Sequence, residues 1–392
     1  MAAYNVAARP GPISLIVNHP CALETTGIIP ALSKPGSCFM FDAGALCANL
    51  AVMRRCFPNA EIAYALKANP HPLVLETLAA ARCSFEAASA GEIELLLTHG
   101  VEPDRIIYGT AVKPRGHVVC AVETGVDRFA ADSEEELRML AAAAPGSRVF
   151  IRIKGDESHS VFKMGVKFGV AAHAVVPLLL LARDLGLIPW GLSFNVGSNA
   201  RATDVWASGV AMVGPLVGEL LEHDIRIESL NIGGGFPSLE HGSAHLETIA
   251  RGVTDELTKL PYSVSLILEP GRALAASCFS LHAHVIRRIE RPDGPWLFLD
   301  VGVYNALFEA LSCQGSTRYS VRASGAHSNV LTTTYVLAGP TGDGLDIIAH
   351  AVELPADLRE GDTIEFLNVG AYTSALASSF NGFPVPQTIG AI

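Results

Sequence analysis

The sequence predicts an α/β protein: a closed (β/α)8, TIM-like barrel over residues 38–275, and a mostly antiparallel β domain from residues 1–37 and 276–392. Three observations predict it. Short β-rich runs alternate with Ala-, Leu- and Glu-rich helical stretches from residue 38 onward. A lysine, a triple glycine and an acid stand where three of those runs end. After Arg272 the alternation stops, and β-rich runs follow one another with turns between them.

The runs of the first part are 38–42, 61–67, 84–88, 106–109, 128–131, 148–153, 191–196, 229–232 and 265–268. Helical crossovers between successive strands make those strands parallel. About eight such units over roughly 230 residues fit a closed barrel better than an open sheet. A doubly wound sheet satisfies the same pattern. Ser133-Glu134-Glu135-Glu136 has capping-box spacing and acids in a first turn, so a helix starts there. In the second part the runs are 278–288, 296–301, 332–338, 346–351 and 363–367, and Arg291-Pro292-Asp293-Gly294 reads as a turn. A further β-like run, 13–17, is assigned to this domain.

The 392 residues are 49% hydrophobic and 17% charged, a globular and well-buried composition. Formal net charge is −11 with no run of Lys or Arg, which argues against nucleic acid or anionic membrane as a partner. No signal peptide is expected, because no charged start leads into an apolar stretch. No membrane span is expected, because no window approaches about 18 uninterrupted apolar residues. The eight cysteines (21, 38, 47, 56, 83, 120, 278 and 313) form no C-x-x-C pair, as suits reduced thiols in a cytoplasmic protein. His241 with His245, and His282 with His284, lack the further ligands that a metal site needs.

Chemistry concentrates at three run ends. In Ala63-Tyr64-Ala65-Leu66-Lys67-Ala68-Asn69-Pro70 a lysine closes an apolar run. At the C-terminal end of a barrel strand it faces the site, and burial lowers its pKa toward that of a usable amine nucleophile. A snorkelling lysine is the plainer alternative. In Leu230-Asn231-Ile232-Gly233-Gly234-Gly235-Phe236-Pro237 three bare amides follow a strand, a loop that can approach a phosphate or act as an ordinary turn. In Leu268-Glu269-Pro270-Gly271-Arg272 a carboxylate is placed to hold a protonated pyridine nitrogen, and Arg272 to pair with phosphate or with Glu86. A structural ion pair at the rim would look the same.

In this order the motifs resemble those of the fold-type III pyridoxal-5′-phosphate (PLP) enzymes, specifically the ornithine/diaminopimelate/arginine decarboxylase family and most of all its ornithine-type members. Phe85-Glu86-Ala87-Ala88, Lys167-Phe168-Gly169, Gly339-Pro340-Thr341-Gly342-Asp343 and Gly370-Ala371-Tyr372-Thr373 extend the likeness over nearly the whole chain. The resemblance implies a barrel plus a β domain, and a homodimer whose active sites are shared through the partner's Gly-Pro-Thr segment. It implies PLP held on Lys67 as a Schiff base, with Glu86, Asn195, Ser198, Gly233, Gly234, Gly235, Glu269, Gly271, Arg272 and Tyr372 around the cofactor. It further implies Asp343, Glu309 and Tyr372 as substrate contacts, Asp343 and Cys313 beside Lys67 and Glu269 as catalytic residues, and a Lys167–Asp346 ion pair across the dimer.

Two positions depart from the family pattern. Gly342 stands where the decarboxylases carry the cysteine that returns a proton to Cα, and Asn195 stands where a histidine stacks on the cofactor. The expected reaction is α-decarboxylation of a diamino acid of the ornithine or lysine kind, or of a diaminopropionate conjugate, as in polyamine metabolism. Cys313, Tyr372, Lys67 or a water would then supply the proton. Decarboxylation ending in a carbonyl product is the alternative; a racemase and a non-catalytic homologue are weaker ones.

Overall fold

The computed structural model describes residues 36–391, apart from 164–166, 240–241, 314–318 and 325–330 and the side chains of residues 313 and 391. The run at 13–17, the His241 half of one histidine pair and the thiol of Cys313 therefore lie outside the described residues.

Eight strands form a closed barrel: Ala60–Ala65, Ser84–Ala87, Ile106–Tyr108, Arg128–Ala131, Arg148–Lys154, Ile188–Asn195, Ser229–Asn231 and Ser265–Leu268. Every pairing is parallel, and Leu266, Ile267 and Leu268 close the ring against Ala60, Glu61 and Ile62. Parallel barrel strands are covered on both faces, which is why Arg128–Ala131 is buried at every position. Ala63, Ile107, Ala130, Phe150, Trp190 and Ile267 fill the interior, small residues opposite large ones. Ser133 caps helix Glu134–Ala143 as its spacing predicts, accepting from the Glu136 amide at 3.2 Å.

Cys38–Asp42 corrects the predicted barrel boundary. It pairs antiparallel with Phe279–Arg291 and parallel with Gln387–Ala391, so it belongs to the second sheet and the barrel begins at Ala60. The reason lies in its alternation: Phe39 and Phe41 are buried while Cys38, Met40 and Asp42 are not. A one-sided strand suits a sheet with a solvent face, not a barrel wall buried on both sides. Asp42 then caps helix Ala43–Cys56, accepting from the Ala45 amide at 2.9 Å.

The second sheet has eight strands, with Ser320–Ser324, Thr363–Leu367, Phe279–Arg291, Gly294–Leu299, Thr332–Ala338 and Ile347–Pro355 in spatial order. Five of its seven pairings are antiparallel. His282 and His284 face Glu365 and Asp300 in this sheet, at 3.5 and 3.3 Å. Among the described residues no group of three or more His, Cys, Asp or Glu could hold a metal.

One described helix, Val205–Glu222, is long and apolar enough to cross a membrane by length and composition. Its stripe of Trp206, Val210, Val213 and Val217 is buried in the core. Gly209 packs so tightly on Phe194 of the barrel wall that a Cβ there would come within 2.3 Å of the ring.

Candidate active site

Barrel strands deliver their last residues to one rim, and the chemical motifs cluster there. Lys67 stands in the 3-10 turn Leu66–Ala68, two residues past the end of the strand Ala60–Ala65. Two contacts tie that turn to the loop at 370–373: Asn69 Nδ2 donates to the Gly370 carbonyl at 2.9 Å, and the Tyr372 amide donates to the Ala68 carbonyl at 2.8 Å. Tyr372 accepts a positive φ of 57° to bring its ring over the site.

Lys67 Nζ lies 2.9 Å from Glu86 Oε2. Glu86 is 3% exposed, and a Cβ on Gly109 would fall 2.5 Å from its carboxylate. A glycine at 109 is what leaves room for this acid. Burial pulls the Lys67 pKa down, but the Glu86 carboxylate, with Tyr372 and Glu269, outweighs it, and the pKa is raised. The expectation of a burial-lowered lysine is therefore corrected: its neighbours hold it as an ammonium.

Glu269 closes the strand Ser265–Leu268 and lines the same cleft. Burial, then Glu86, pushes its pKa up to about 7; Lys67, a hydrogen bond from Asn231 and Arg152 pull the other way. Asn231 Nδ2 donates to Glu269 Oε1 at 2.6 Å.

The glycine loop is a close-fitting cradle. Gly233 and Gly235 have φ of +68° and +87°, which side-chain-bearing residues rarely adopt. A Cβ on Gly234 would meet the Glu269 carbonyl at 2.6 Å, and one on Gly235 the Gly197 carbonyl at 2.7 Å. Trp206 Nε1 donates to the Gly234 carbonyl at 3.1 Å while its ring stacks on Phe236 at 4.7 Å.

Arg272 reaches the cleft beside this loop, its guanidinium 5.0 Å from the Tyr372 ring centroid. It pairs with Glu309, not Glu86: Nη1 and Nη2 each donate to one Glu309 oxygen, at 3.0 and 2.7 Å. Both side chains are 8% exposed. The substrate-binding role expected of Glu309 is thereby corrected to a buried fork on Arg272. Removing one partner of such a pair strands the other charge, so Glu309→Ala is expected to lower stability by about 3–5 kcal/mol. Urea unfolding would check this, and a loss below about 1 kcal/mol would contradict it.

Of the other expected residues, Asn195, Ser198 and Gly271 line the cleft. Asn195 Oδ1 accepts from the Gly197 amide at 2.7 Å. Asp343 does not join them; it is exposed and accepts from the Leu345 amide at 2.8 Å. Asp346 is 3% exposed and accepts from the Val303 amide and from the Thr341 amide and hydroxyl of its own chain. Sequence reasoning passed over Asn231 and Trp206. Asn231 lay inside the quoted glycine motif, whereas Trp206 carried no signal, being one aromatic on a helix.

These residues fit PLP on two structural grounds. The glycine loop leaves backbone space that any side chain would fill. The buried Nε of Arg272 has no hydrogen-bond partner among the described residues, the condition of a donor placed for a phosphate oxygen.

Comparison with known proteins agrees. Residues 44–276 match the family model of the pyridoxal-dependent decarboxylases, pyridoxal binding domain. The chain is 32% identical over 343 residues to the lysine/ornithine decarboxylase of Selenomonas ruminantium, covering 87% of this chain and 86% of that one. The Paramecium bursaria Chlorella virus arginine decarboxylase bound to agmatine superposes with a TM-score of 0.86 at 26% identity, over 91% of this chain and 96% of its own. The lysine/ornithine decarboxylase of Vibrio vulnificus complexed with cadaverine gives a TM-score of 0.82 at 28% identity, over 91% and 94%.

Proposed function

The chain belongs to the pyridoxal-dependent decarboxylases, and on that premise we propose that it acts on an amino acid with a second, distal ammonium, of the ornithine or lysine kind. It removes the α-carboxylate as CO2 and returns a proton to Cα, leaving an amine. One observation carries this reading: the Lys67 amine, the Glu269 carboxylate and the glycine cradle converge on one cleft.

PLP, when bound, supplies a ring that accepts the electron pair left as CO2 departs. The chain's own residues do the rest. Lys67 offers the amine that captures the cofactor aldehyde, and Glu86 at 2.9 Å is the nearest acceptor for its proton. Glu269, walled in and hydrogen-bonded by Asn231, would present a carboxylate to the ring nitrogen. The amides of Gly234 and Gly235 and the Arg272 Nε, unpartnered among the described residues, would hold the phosphate. Tyr372 and Asn195 line the same cleft and would stand beside the cofactor.

A distal ammonium calls for an acid. Asp343 is the exposed candidate, and it would serve the partner's cleft in a homodimer with shared sites. A diaminopropionate conjugate is the second substrate candidate. The test is a product balance: PLP-loaded protein is given ornithine, lysine and such a conjugate, and CO2, amine, carbonyl and pyridoxamine phosphate are all quantified. CO2 with equal amine supports the proposal; no CO2 from any of them sinks it.

Carbonyl formation is a second reading that Gly342 favours, because glycine carries no acid to protonate Cα; the amino nitrogen and the electron pair would then stay on the cofactor as pyridoxamine phosphate, and water would supply the carbonyl oxygen. A Cβ at Gly342 finds nothing within 4 Å, so Gly342→Cys fits without repacking. We expect that variant to raise the amine-to-carbonyl ratio severalfold over any carbonyl that native protein forms. An unchanged ratio, with carbonyl present in both, would place the proton donor elsewhere.

A further inference from the structure

Asn231 sits at the junction of the glycine loop and Glu269, the two motifs that would grip opposite ends of the cofactor. Its Oδ1 accepts from the Gly233 amide at 2.9 Å, and its Nδ2 donates to Glu269 Oε1 at 2.6 Å. The Glu269 amide in turn donates to the Gly233 carbonyl at 2.8 Å. Three residues thus close a ring of hydrogen bonds joining a barrel strand end, the glycine loop and the ring acid. Asn231 is 1% exposed, and among the described residues it is the one side chain that hydrogen-bonds Glu269. The orientation of its amide is settled by its partners: turned over, its oxygen would face a carboxylate and its NH2 an N–H.

We propose that Asn231 is a positioning residue that acts through Glu269, fixing the carboxylate in register with the phosphate loop and holding it in its ionised form. The inference rests on the cofactor reading given above. The physical argument concerns which side chains can occupy the position. An amide can accept from Gly233 and donate to Glu269 at once, with no charge of its own. Aspartate in its place keeps the first bond but loses the second, and brings another anion to a cluster that already holds Glu86 and Glu269. Only a proton shared between the introduced carboxylate and Glu269 would restore the ring, and it would cost Glu269 its charge. Lys67, Glu86 and Arg152 are the other charged groups acting on Glu269. Of these only Lys67 and Arg152 favour its ionised form, and Lys67 must give up its charge to capture an aldehyde.

Two ligands separate positioning of the acid from mere support of the loop. 4-Deoxypyridoxine 5′-phosphate has the ring nitrogen and the phosphate but no aldehyde, so its binding does not depend on capture by Lys67. Its 1-deaza analogue keeps the phosphate and lacks the nitrogen that Glu269 would meet. Calorimetric titration of the cofactor-free chain is expected to show Asn231→Ala binding the first ligand about tenfold more weakly than native protein, the scale of one hydrogen bond to a charged group. Binding of the deaza ligand should change by less than about twofold on the same scale. Asn231→Asp keeps the Gly233 contact but cannot donate to an ionised Glu269, so it too should bind the first ligand more weakly than native protein. Equal losses for both ligands, or native affinity in both variants, would overturn the proposal. If native protein fails to bind 4-deoxypyridoxine 5′-phosphate, the cofactor reading itself falls, and this inference with it.

Discussion

Lys67→Met is expected to lower CO2 release by about four orders of magnitude or more, with the fold intact. Methionine fills the same space, but it offers no amine to capture an aldehyde, and no other lysine lines the cleft among the described residues. Native protein loaded with PLP, reduced with borohydride and digested should yield one labelled peptide, containing Lys67. A label elsewhere, or turnover in the variant within about tenfold of native, would remove Lys67 from its assigned role. The raised pKa sets a pH signature for the capture step. Glu86 holds the ammonium form, and only the neutral amine adds to the aldehyde. Capture, followed by the rise of visible absorbance, should therefore accelerate steadily with pH through the neutral range. A flat profile would contradict the ammonium form assigned to Lys67.

Gly235→Ala should weaken PLP binding at least tenfold and lower stability by about 1–3 kcal/mol. Two penalties combine there: a φ of +87°, and a Cβ that would lie 2.7 Å from the Gly197 carbonyl. The nearest atom is a backbone carbonyl oxygen, which has no flexible tip to give way, so the loop must shift off the path proposed to hold the phosphate. Gly146→Ala is the control. Its φ is +76° but a Cβ there meets nothing within 4 Å, so it carries the conformational strain without the clash. It should cost stability and leave PLP affinity unchanged. Equal affinity in both variants would show that the Gly235 loop does not hold the phosphate.

The sequence made the barrel legible because parallel strands are buried on both faces and punctuated by crossover helices. From 61–67 onward the predicted barrel runs lie within about three residues of their observed bounds, and the differences are local: 61–67 ends in a 3-10 turn that places Lys67 just past the strand. Cys38–Asp42 was assigned to the wrong sheet because five residues of alternating Phe and non-Phe say "strand" without saying which partner. Partner choice is a long-range property, settled here by strands at 279–291 and 387–391. The site was legible wherever one residue type had an unusual local setting: a lysine ending an apolar run, a triple glycine, an acid before Pro-Gly-Arg. Pairings were not. That Glu309 takes Arg272, and that Asn231 takes Glu269, depends on side chains 37 and 38 residues apart meeting in space. Spacing along the chain carries no trace of either.

The strand Cys38–Asp42 also orders events during synthesis. Its two neighbours in the sheet are Phe279–Arg291 and Gln387–Ala391, so everything from residue 43 to 278 is a detour between one strand and its first partner. A growing chain can close the barrel, whose last strand ends at Leu268, while Phe39 and Phe41 still lack their sheet. The second partner is made later still. Until then the earliest described strand is an open apolar edge, the kind of surface that invites pairing with the wrong chain. The slow and vulnerable step of assembly is therefore expected in the sheet and not in the barrel, although the barrel is the larger structure and holds the chemistry.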